Sequence, residues 1–371
     1  MRKVFTSEDF GAPAIHINGV AGAMITVMQG CLVDGYGNQT PTSITRVGAV
    51  ATMVLPNAHG FTRTGVLNIS GCDQVDYNGE FRITVVNATT VTFTVANSPV
   101  TPATGTIVCR QDGAGWTIPF TDVNKAVFKQ GVASNGFYLD VDDTLTNAAK
   151  VRAYEAMTAV GVGTAPFPTV AQEANRYWAK GTTNSQWVVV AEESFVMVWT
   201  PEASTAHSTA AAWFFGDFRE IGNLNGYNTI LVAGSSSSQA TGSLHDIESS
   251  SSSNPTTRYV ARDHTGLGGS RNVALLGDSS MTSSSQYSAT SGADYPEPLD
   301  NSVYLQEFRV VASATEKGLY GHVDGVYAML HVIPFGNTET SYFGGSGDFP
   351  NDEFVYLSCD STSAVVMRIS D

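Results

Sequence analysis

The chain has 371 residues, of which 42% are hydrophobic, 14% are charged and 36 are glycine. It is long enough to bury a sizeable core, and its composition is typical of turn-rich β proteins rather than of helical or α/β ones. The formal net charge is −15 and no run of lysine or arginine is present. Nucleic acid and anionic membranes are therefore excluded as expected partners, because both require clustered cations.

The sequence also argues against membrane insertion. Its most apolar window, "WVVVAEESFVMVW", is interrupted by Glu192 and Glu193, and it falls short of the roughly 18 apolar residues of a spanning helix. The first residues, "MRKVFTSEDFGAP", lack the apolar region of a signal peptide. We expect a protein that is made in the cytoplasm and does not enter a membrane.

One short helix and many strands are predicted along the chain. Apolar residues recur at helical spacing in "AGAMITVMQGC", from Ala21 to Cys31, and predict the helix. Elsewhere, Asn-Gly pairs separate short apolar runs and predict hairpin turns. These pairs are Asn18-Gly19, Asn78-Gly79, Asn135-Gly136 and Asn225-Gly226.

Residues 44–111 have the strand density of a small β-sandwich, with six short strands predicted. In "EFRITVV", Phe81, Ile83 and Val85 alternate with polar residues, which predicts one strand with one apolar face. Cys72 and Cys109 fall within this unit and could be neighbours. The spacing of the four cysteines (Cys31, Cys72, Cys109 and Cys359) is not that of a disulfide-rich protein, and it favours free buried thiols while leaving the pairing of Cys72 and Cys109 open.

The segments "HGF", "YNGEFRITV", "TFTV" and "ATGTI" within residues 44–111 resemble the immunoglobulin-like modules of phage and bacterial surface proteins. The flanking segments "CLVDGYGNQTP" and "DGAGWTIPFTDVNKAVFKQG" resemble a family of tailed-bacteriophage virion structural proteins, in which they form one continuous stretch. That likeness continues through "NGFYLDVDD", "AKVRAYEAM" and "GTAPFPT" and, with "FGDF", "RYVAR" and "TGLGGS", reaches about residue 270. The resemblance implies a body of residues 1–43 and 112–371, interrupted by an inserted module at 44–111. A further subdivision of the body near 180–200 is left open.

The segment "YLDVDDTLT", residues 138–146, carries the strongest chemical signal. Its Asp-x-Asp-x-Thr pattern is similar to that of haloacid-dehalogenase-like phosphotransferases, which would make Asp140 a nucleophile and Asp142 an acid/base. That chemistry requires a parallel strand buried on both faces, whereas "NGFYLDVDD" alternates and "AKVRAYEAM" follows with the same period. We therefore predict an antiparallel hairpin that ends in a solvated acidic turn. A Ca²⁺ site formed by Asp140, Asp142 and Asp143 is the alternative, and "GDFPND", residues 347–352, is interpreted as a turn.

The remaining motifs favour structural roles. The seven histidines never fall at i, i+2 or i, i+4, the spacings that would bring two of them onto one metal ion. "GLGGS", residues 266–270, lacks the lysine and helix of a phosphate loop. The serine tracts at Ser235–Ser238 and Ser249–Ser253 are predicted to be solvent-facing, mobile loops. Five tryptophans could form a sugar-stacking platform, but core positions are the favoured interpretation for them: Trp116, Trp178, Trp187, Trp199 and Trp213.

The sequence thus predicts an all-β protein, with an antiparallel β-sandwich or barrel-like body and an inserted small immunoglobulin-like β-sandwich. The family resemblance implies a structural component of a tailed-phage virion, in an exterior neck, collar or tail position, assembled in multiple copies. Its partners would be other virion proteins and copies of itself, with no nucleic acid, no cofactor and no catalytic residue. The alternatives are a tip protein that binds a host receptor or glycan, a capsid decoration protein and, ranked last, the Asp-dependent phosphatase.

Overall fold

A computed structural model describes most of the N-terminal half of the chain and separate parts of the remainder. The described residues are 1–14, 16–61, 65–172, 176–181, 186–201, 210–222, 226–234, 258–261, 271–276, 299, 303–312, 318–329, 340–344, 352–358 and 364–370, with the backbone alone for 271–276, 312 and 340–344. The serine tracts, "GLGGS", Cys359 and residues 347–351 of "GDFPND" lie outside the described residues.

Up to Gln111, the described residues form one α-helix and nine strands. They are β1 (Lys3–Thr6), α1 (Ala23–Gln29), a π-helical continuation (Gly30–Asp34), β2 (Tyr36–Gln39), β3 (Ser43–Val47), β4 (Val50–Val54), β5 (Val66–Cys72), a 3-10 turn (Val75–Tyr77), β6 (Gly79–Arg82), β7 (Thr84–Asn87), β8 (Thr90–Thr94) and β9 (Gly105–Gln111).

The described remainder is formed almost entirely of strands. They are β10 (Thr117–Asp122), β11 (Lys125–Lys129), β12 (Tyr138–Asp142), β13 (Ala148–Ala159), β14 (Val162–Phe167), a 3-10 turn (Val170–Gln172), β15 (Tyr177–Ala179), β16 (Val188–Glu192), β17 (Phe195–Pro201), β18 (Ala210–Asp217), β19 (Arg219–Glu220), β20 (Thr229–Val232), β21 (Arg258–Val260), β22 (Arg271–Leu276), β23 (Leu305–Ala312), β24 (Leu319–Met329), β25 (Thr340–Gly344), β26 (Glu353–Ser358) and β27 (Ala364–Arg368).

All pairings between the described strands are antiparallel, and none of the sheets closes on itself. A sheet of 13 strands has the order β1-β16-β17-β18-β20-β21-β22-β23-β24-β27-β26-β25, with β19 beside β24. A second sheet has the order β10-β11-β12-β13-β14, with β15 beside β13. The predicted all-β fold with a sandwich body is confirmed.

The large sheet buries both of its faces. In β16, Val189 packs in a core shared with α1 and the six-stranded sheet, while Val190 packs in a second core with strands β23, β24, β26 and β27. The two halves of the sheet therefore face each other across the second core. This double burial explains why "WVVVAEESFVMVW" is the most apolar window of the chain, because a strand covered on both faces has no polar alternation.

The predicted helix is confirmed as α1, and it contributes Met24, Val27 and Met28 to the first core. The π-helical continuation ends at Gly35, whose φ of 68° suits glycine. Among the described residues, no helix is long and apolar enough to cross a membrane.

Two four-stranded sheets, β2-β9-β5-β6 and β3-β4-β8-β7, enclose a third core and form the small sandwich. The prediction of a single strand over "EFRITVV" is wrong: β6 pairs with β5 and β7 pairs with β8, so the chain crosses between the sheets at Ile83. That crossing makes seven strands from Ser43 to Gln111 instead of six. Cys72 and Cys109 are free and buried, as favoured, and so is Cys31. The insertion at 44–111 stays a prediction.

The N-terminal strand connects the small sandwich to the body. Lys3 Nζ contacts Glu80 Oε1 at 2.5 Å and donates to the Gly113 carbonyl at 2.6 Å. Arg2 reaches the opposite end of the chain, where its Nη1 donates to the Arg368 carbonyl at 2.6 Å. Strand β1 thus joins elements that are far apart in sequence.

Candidate functional site

The acidic strand β12 lies between β11 and β13 in antiparallel register. Asp140 is opposite Val127 on β11 and Arg152 on β13, and Asp142 is opposite Lys125 and Lys150. The predicted hairpin of "NGFYLDVDD" and "AKVRAYEAM" is therefore confirmed. A doubly wound sheet would instead place parallel neighbours beside this strand.

Asp142 is half-buried at the end of β12. Its Oδ2 lies 3.0 Å from Lys125 Nζ, and its Oδ1 accepts a hydrogen bond of 2.7 Å from Thr144 Oγ1. Partial burial opposes ionisation, but the hydrogen bonds from Thr144 and Lys125 outweigh it and lower the pKa of Asp142. This carboxylate is held in its charged form by its neighbours.

Asp143 is fully buried, so the prediction of a solvated acidic turn is wrong here. It forms an ion pair with Lys180, whose side chain is also fully buried. The amide of Met24, in the first turn of α1, donates to Asp143 Oδ2 at 2.9 Å. Burial raises the pKa of Asp143 and lowers the pKa of Lys180, while the attraction between the two opposes both shifts. A buried carboxylate is tolerated here because a cation and helix amides replace the water it has lost.

Asp140 is also buried, at 7% exposure, although the strand alternation predicted a solvated face. The turn between β13 and β14 covers it: the Gly161 amide donates to the carboxylate, and Val160 packs with Met157 over this side of the sheet. Burial raises the pKa of Asp140 to about 6, and the Gly161 bond and the charge of Arg176 oppose the rise. The alternation of β12 is real, but both of its faces are covered at Asp140.

The three carboxylates do not converge on one cation position. Asp140 and Asp142 share one face of β12 and have different partners, and Asp143 is turned to α1 and Lys180. Within the described ranges, no group of three or more His, Cys, Asp or Glu side chains is arranged to hold a metal ion. The described geometry gives the Ca²⁺ alternative no ligand set.

No protein-family model matches the chain, and no curated protein matches it either.

The other candidates are distributed through the fold. All five tryptophans are buried, as favoured, and four of them donate their indole N–H to a main-chain carbonyl. The histidines that are described, His16, His59 and His322, lie in separate regions. Asp352 is the last residue of "GDFPND", and its Oδ2 lies 3.8 Å from Arg368 Nη1.

A buried carboxyl at the base of the small sandwich was not found from the sequence. Asp9 Oδ2 accepts hydrogen bonds of 2.8 Å from the Thr6 amide and from the Tyr36 hydroxyl. Burial raises the pKa of Asp9 to about 6, and the hydrogen bonds from Thr6 and Tyr36 limit the rise. Asp9 lies in the loop after β1 and Tyr36 is in β2, so only the folded chain brings them together.

A second unexpected feature is the outer face of β3-β4-β8-β7, named here the threonine face. The row Thr45, Thr52, Thr92 and Thr84 crosses all four strands in register. Eleven side chains of the face are exposed or half-exposed and uncharged: Ser43, Thr45, Val47, Val50, Thr52, Val54, Thr84, Asn87, Thr90, Thr92 and Thr94. The alternation in "TVTFT" could have indicated it.

Proposed function

We propose that the chain is a structural component of a tailed-phage virion, in an exterior neck or tail position, present in several copies. The observation that carries the proposal is the use of the most enzyme-like motif: the carboxylates of "YLDVDDTLT" tie strands, a helix and a turn together. Asp143 joins the end of β12 to α1, and Asp140 anchors the β13–β14 turn. Side chains committed in this way stabilise a scaffold.

The geometry around the small sandwich supports the resemblance to the phage family. Tyr36, in the body segment before the predicted insertion, and Gln111, the last residue of that insertion, are directly paired between β2 and β9. A Cβ on Gly35 would lie 2.5 Å from the Gln111 carbonyl oxygen, so the chain enters and leaves the unit at one point. A domain can be accepted at such a point because the body's own loop ends are already close.

The family-like segment "GWTIPFTDVNKAVF" also has a definite structural place. It forms the β10–β11 hairpin, with Thr121 paired to Ala126. Asn124 occupies the tight turn with a φ of 53°, a conformation that asparagine tolerates better than most residues. Asn124, one of the residues on which the resemblance depends, thus suits the backbone conformation that the hairpin turn requires.

The direct test is detection of the chain in purified particles. Mass spectrometry of density-purified virions should find it at several copies per particle, and gold-labelled antibodies against it should mark a fixed exterior position. Particles that lack the chain, or label that washes off with salt, would contradict the proposal. Label confined to fibre tips, together with binding on a glycan array, would favour the receptor-binding alternative.

An activity assay is the second test. We expect no turnover of phosphomonoesters with Mg²⁺, because Asp140 lies beneath the β13–β14 turn and its strand has antiparallel neighbours. Turnover that Asp140→Asn abolishes would replace the scaffold proposal with the phosphatase.

A further inference from the structure

The two outer faces of the small sandwich differ in charge. On β2-β9-β5-β6, Glu80 contacts Lys3, and Arg110 Nη2 lies 2.7 Å from Asp112 Oδ1. The Arg82 guanidinium on the same sheet donates to the Arg2 carbonyl. This face is therefore charged and in contact with the N-terminal strand. The threonine face on the other sheet has no charged side chain.

A neutral face is notable on a chain with a formal charge of −15. When two copies associate about a two-fold axis, each surface patch meets its own equivalent. Like charges opposed in this way cost several kcal/mol, so an acidic chain self-associates most readily through an uncharged surface. The threonine face meets that condition, whereas the opposite face would bring Glu80 and its charged neighbours near their equivalents.

The shape of the face suits a second sheet. Threonine and valine are β-branched, so their side chains stand in few rotamers and lose little freedom when covered. Threonine hydroxyls can both donate and accept, so two such faces can satisfy each other's hydrogen bonds. Packed sheets stack about 10 Å apart with interdigitated side chains, and a four-stranded face of short side chains permits this arrangement.

The dimensions indicate how strong the contact is. Four strands at about 4.8 Å spacing and five residues at about 3.4 Å rise give a footprint of roughly 300 Å². A standard interface buries about 800 Å² on each partner. The contact alone is thus weak, and it becomes effective when several copies are held close together in one assembly.

We propose that the threonine face is the surface on which a second copy of this chain docks, sheet on sheet. The proposal rests on the proposed function in that a virion supplies neighbouring copies at high local concentration. It names the partner and the surface that the family resemblance leaves open.

A pair of matched double variants of the full-length chain tests the docking. Thr45→Lys with Thr94→Lys places two charges on the threonine face, and Ser70→Lys with Thr106→Lys places two on the opposite outer face. All four positions are exposed, and both variants lower the net negative charge equally. A general charge effect would therefore strengthen association in both, whereas specific docking is lost only in the first.

The measurement is sedimentation velocity over a wide concentration range, with a melting curve for each variant. We expect wild type and the Ser70/Thr106 variant to show the same weak, concentration-dependent dimer, and the Thr45/Thr94 variant to dissociate about tenfold more readily or to stay monomeric. A wild type that is monomeric up to its solubility limit overturns the proposal. Equal association in the two variants, or equal loss in both, does the same.

Cross-linking keeps the test decisive if the Thr45/Thr94 variant melts early. A short bifunctional maleimide should join two copies of Thr92→Cys and should not join copies of Ser70→Cys, and failure to join the former overturns the proposal. The two proposals fail separately: a chain found in particles but monomeric in solution and uncross-linked defeats only the docking. A chain absent from particles that still dimerises through this face defeats only the virion role.

Discussion

Two carboxyl groups, Asp9 at the base of the small sandwich and Asp143 beside the first turn of α1, are buried in different ways. Asp143 has Lys180 as a counter-charge in addition to helix amides. Asp9 is supported by Thr6 and by the Tyr36 hydroxyl, which are neutral. Burial therefore has different consequences at the two carboxyls: Asp143 depends on the ion pair with Lys180, and the stability contributed by Asp9 depends on pH.

The largest expected effect on stability comes from removing Lys180, the cation that pairs with Asp143. Lys180→Met leaves Asp143 buried without its counter-charge, so we expect the free energy of unfolding to fall by about 3 to 5 kcal/mol. Urea denaturation near neutral pH measures it. A loss below about 1 kcal/mol would show that the helix amides suffice for Asp143, and it would remove the distinction between the two sites.

The second effect is the pH dependence that Asp9 causes. Its pKa is about 6 in the folded chain, against an ordinary 3.8. The stabilisation from its neutral form is therefore complete below the unfolded pKa and is lost as pH rises through about 6. Wild type should lose on the order of 2 to 3 kcal/mol of stability between about pH 4 and pH 7.5 through this group, and Asp9→Asn should remove that loss.

Asp140 titrates in the same range and provides the control. Its pKa is also about 6, so part of the slope should persist in Asp9→Asn and disappear in the double variant with Asp140→Asn. The measurement is the melting temperature against pH. A slope as steep in the double variant as in wild type would contradict the assignment to these two carboxyls.

The third effect sharpens the role of the neutral donors. Tyr36→Phe removes a hydrogen bond to Asp9, and bonds to a charged group contribute about 1.5 to 3 kcal/mol. We expect a loss of about that size at pH 7.5, where Asp9 is ionised, and a smaller loss at pH 5. Denaturation curves at the two pH values give the comparison. An equal loss at both would mean that Tyr36 acts through packing alone.

The smallest effect concerns the partly exposed pair of Lys125 and Asp142. Lys125→Met should change stability by no more than about 0.5 to 1 kcal/mol, because water screens a pair of this kind. It is the matched control for Lys180→Met, since both variants replace a lysine that faces an aspartate of the same acidic segment. If Lys125→Met and Lys180→Met lower the free energy of unfolding equally, burial does not explain the difference between the two ion pairs.

The local features of the fold could be predicted from the sequence, because they depend on near neighbours. Strict alternation identified the β12–β13 hairpin, and helical spacing identified α1. The strand over "EFRITVV" was misjudged because alternation continues while the chain changes sheets at Ile83. A pattern of period two reports which residues are buried, and it carries no information about which sheet they join.

The environment of the candidate site was less predictable because the residues that form it are far apart in the sequence. Nothing near Asp143 in the sequence indicates that Lys180 will be its partner, and the cover over Asp140 comes from the Gly161 turn. The threonine face is the opposite case: its residues are evident in "TVTFT", but a neutral exposed face has meaning only beside the charged one.

The position of β1 determines the order in which the chain can fold as it is synthesised. Strand β1 pairs with β16, which begins at Val188, and Arg2 binds the carbonyl of Arg368. At a ribosomal rate of about 5 to 20 residues per second, β16 is synthesised roughly 10 to 35 s after β1, which has no pairing strand until then. The small sandwich, whose strands all lie between Tyr36 and Gln111, can be complete by then. A newly made chain therefore carries a finished domain beside an open strand edge, and a chaperone that covers extended segments would find its substrate there.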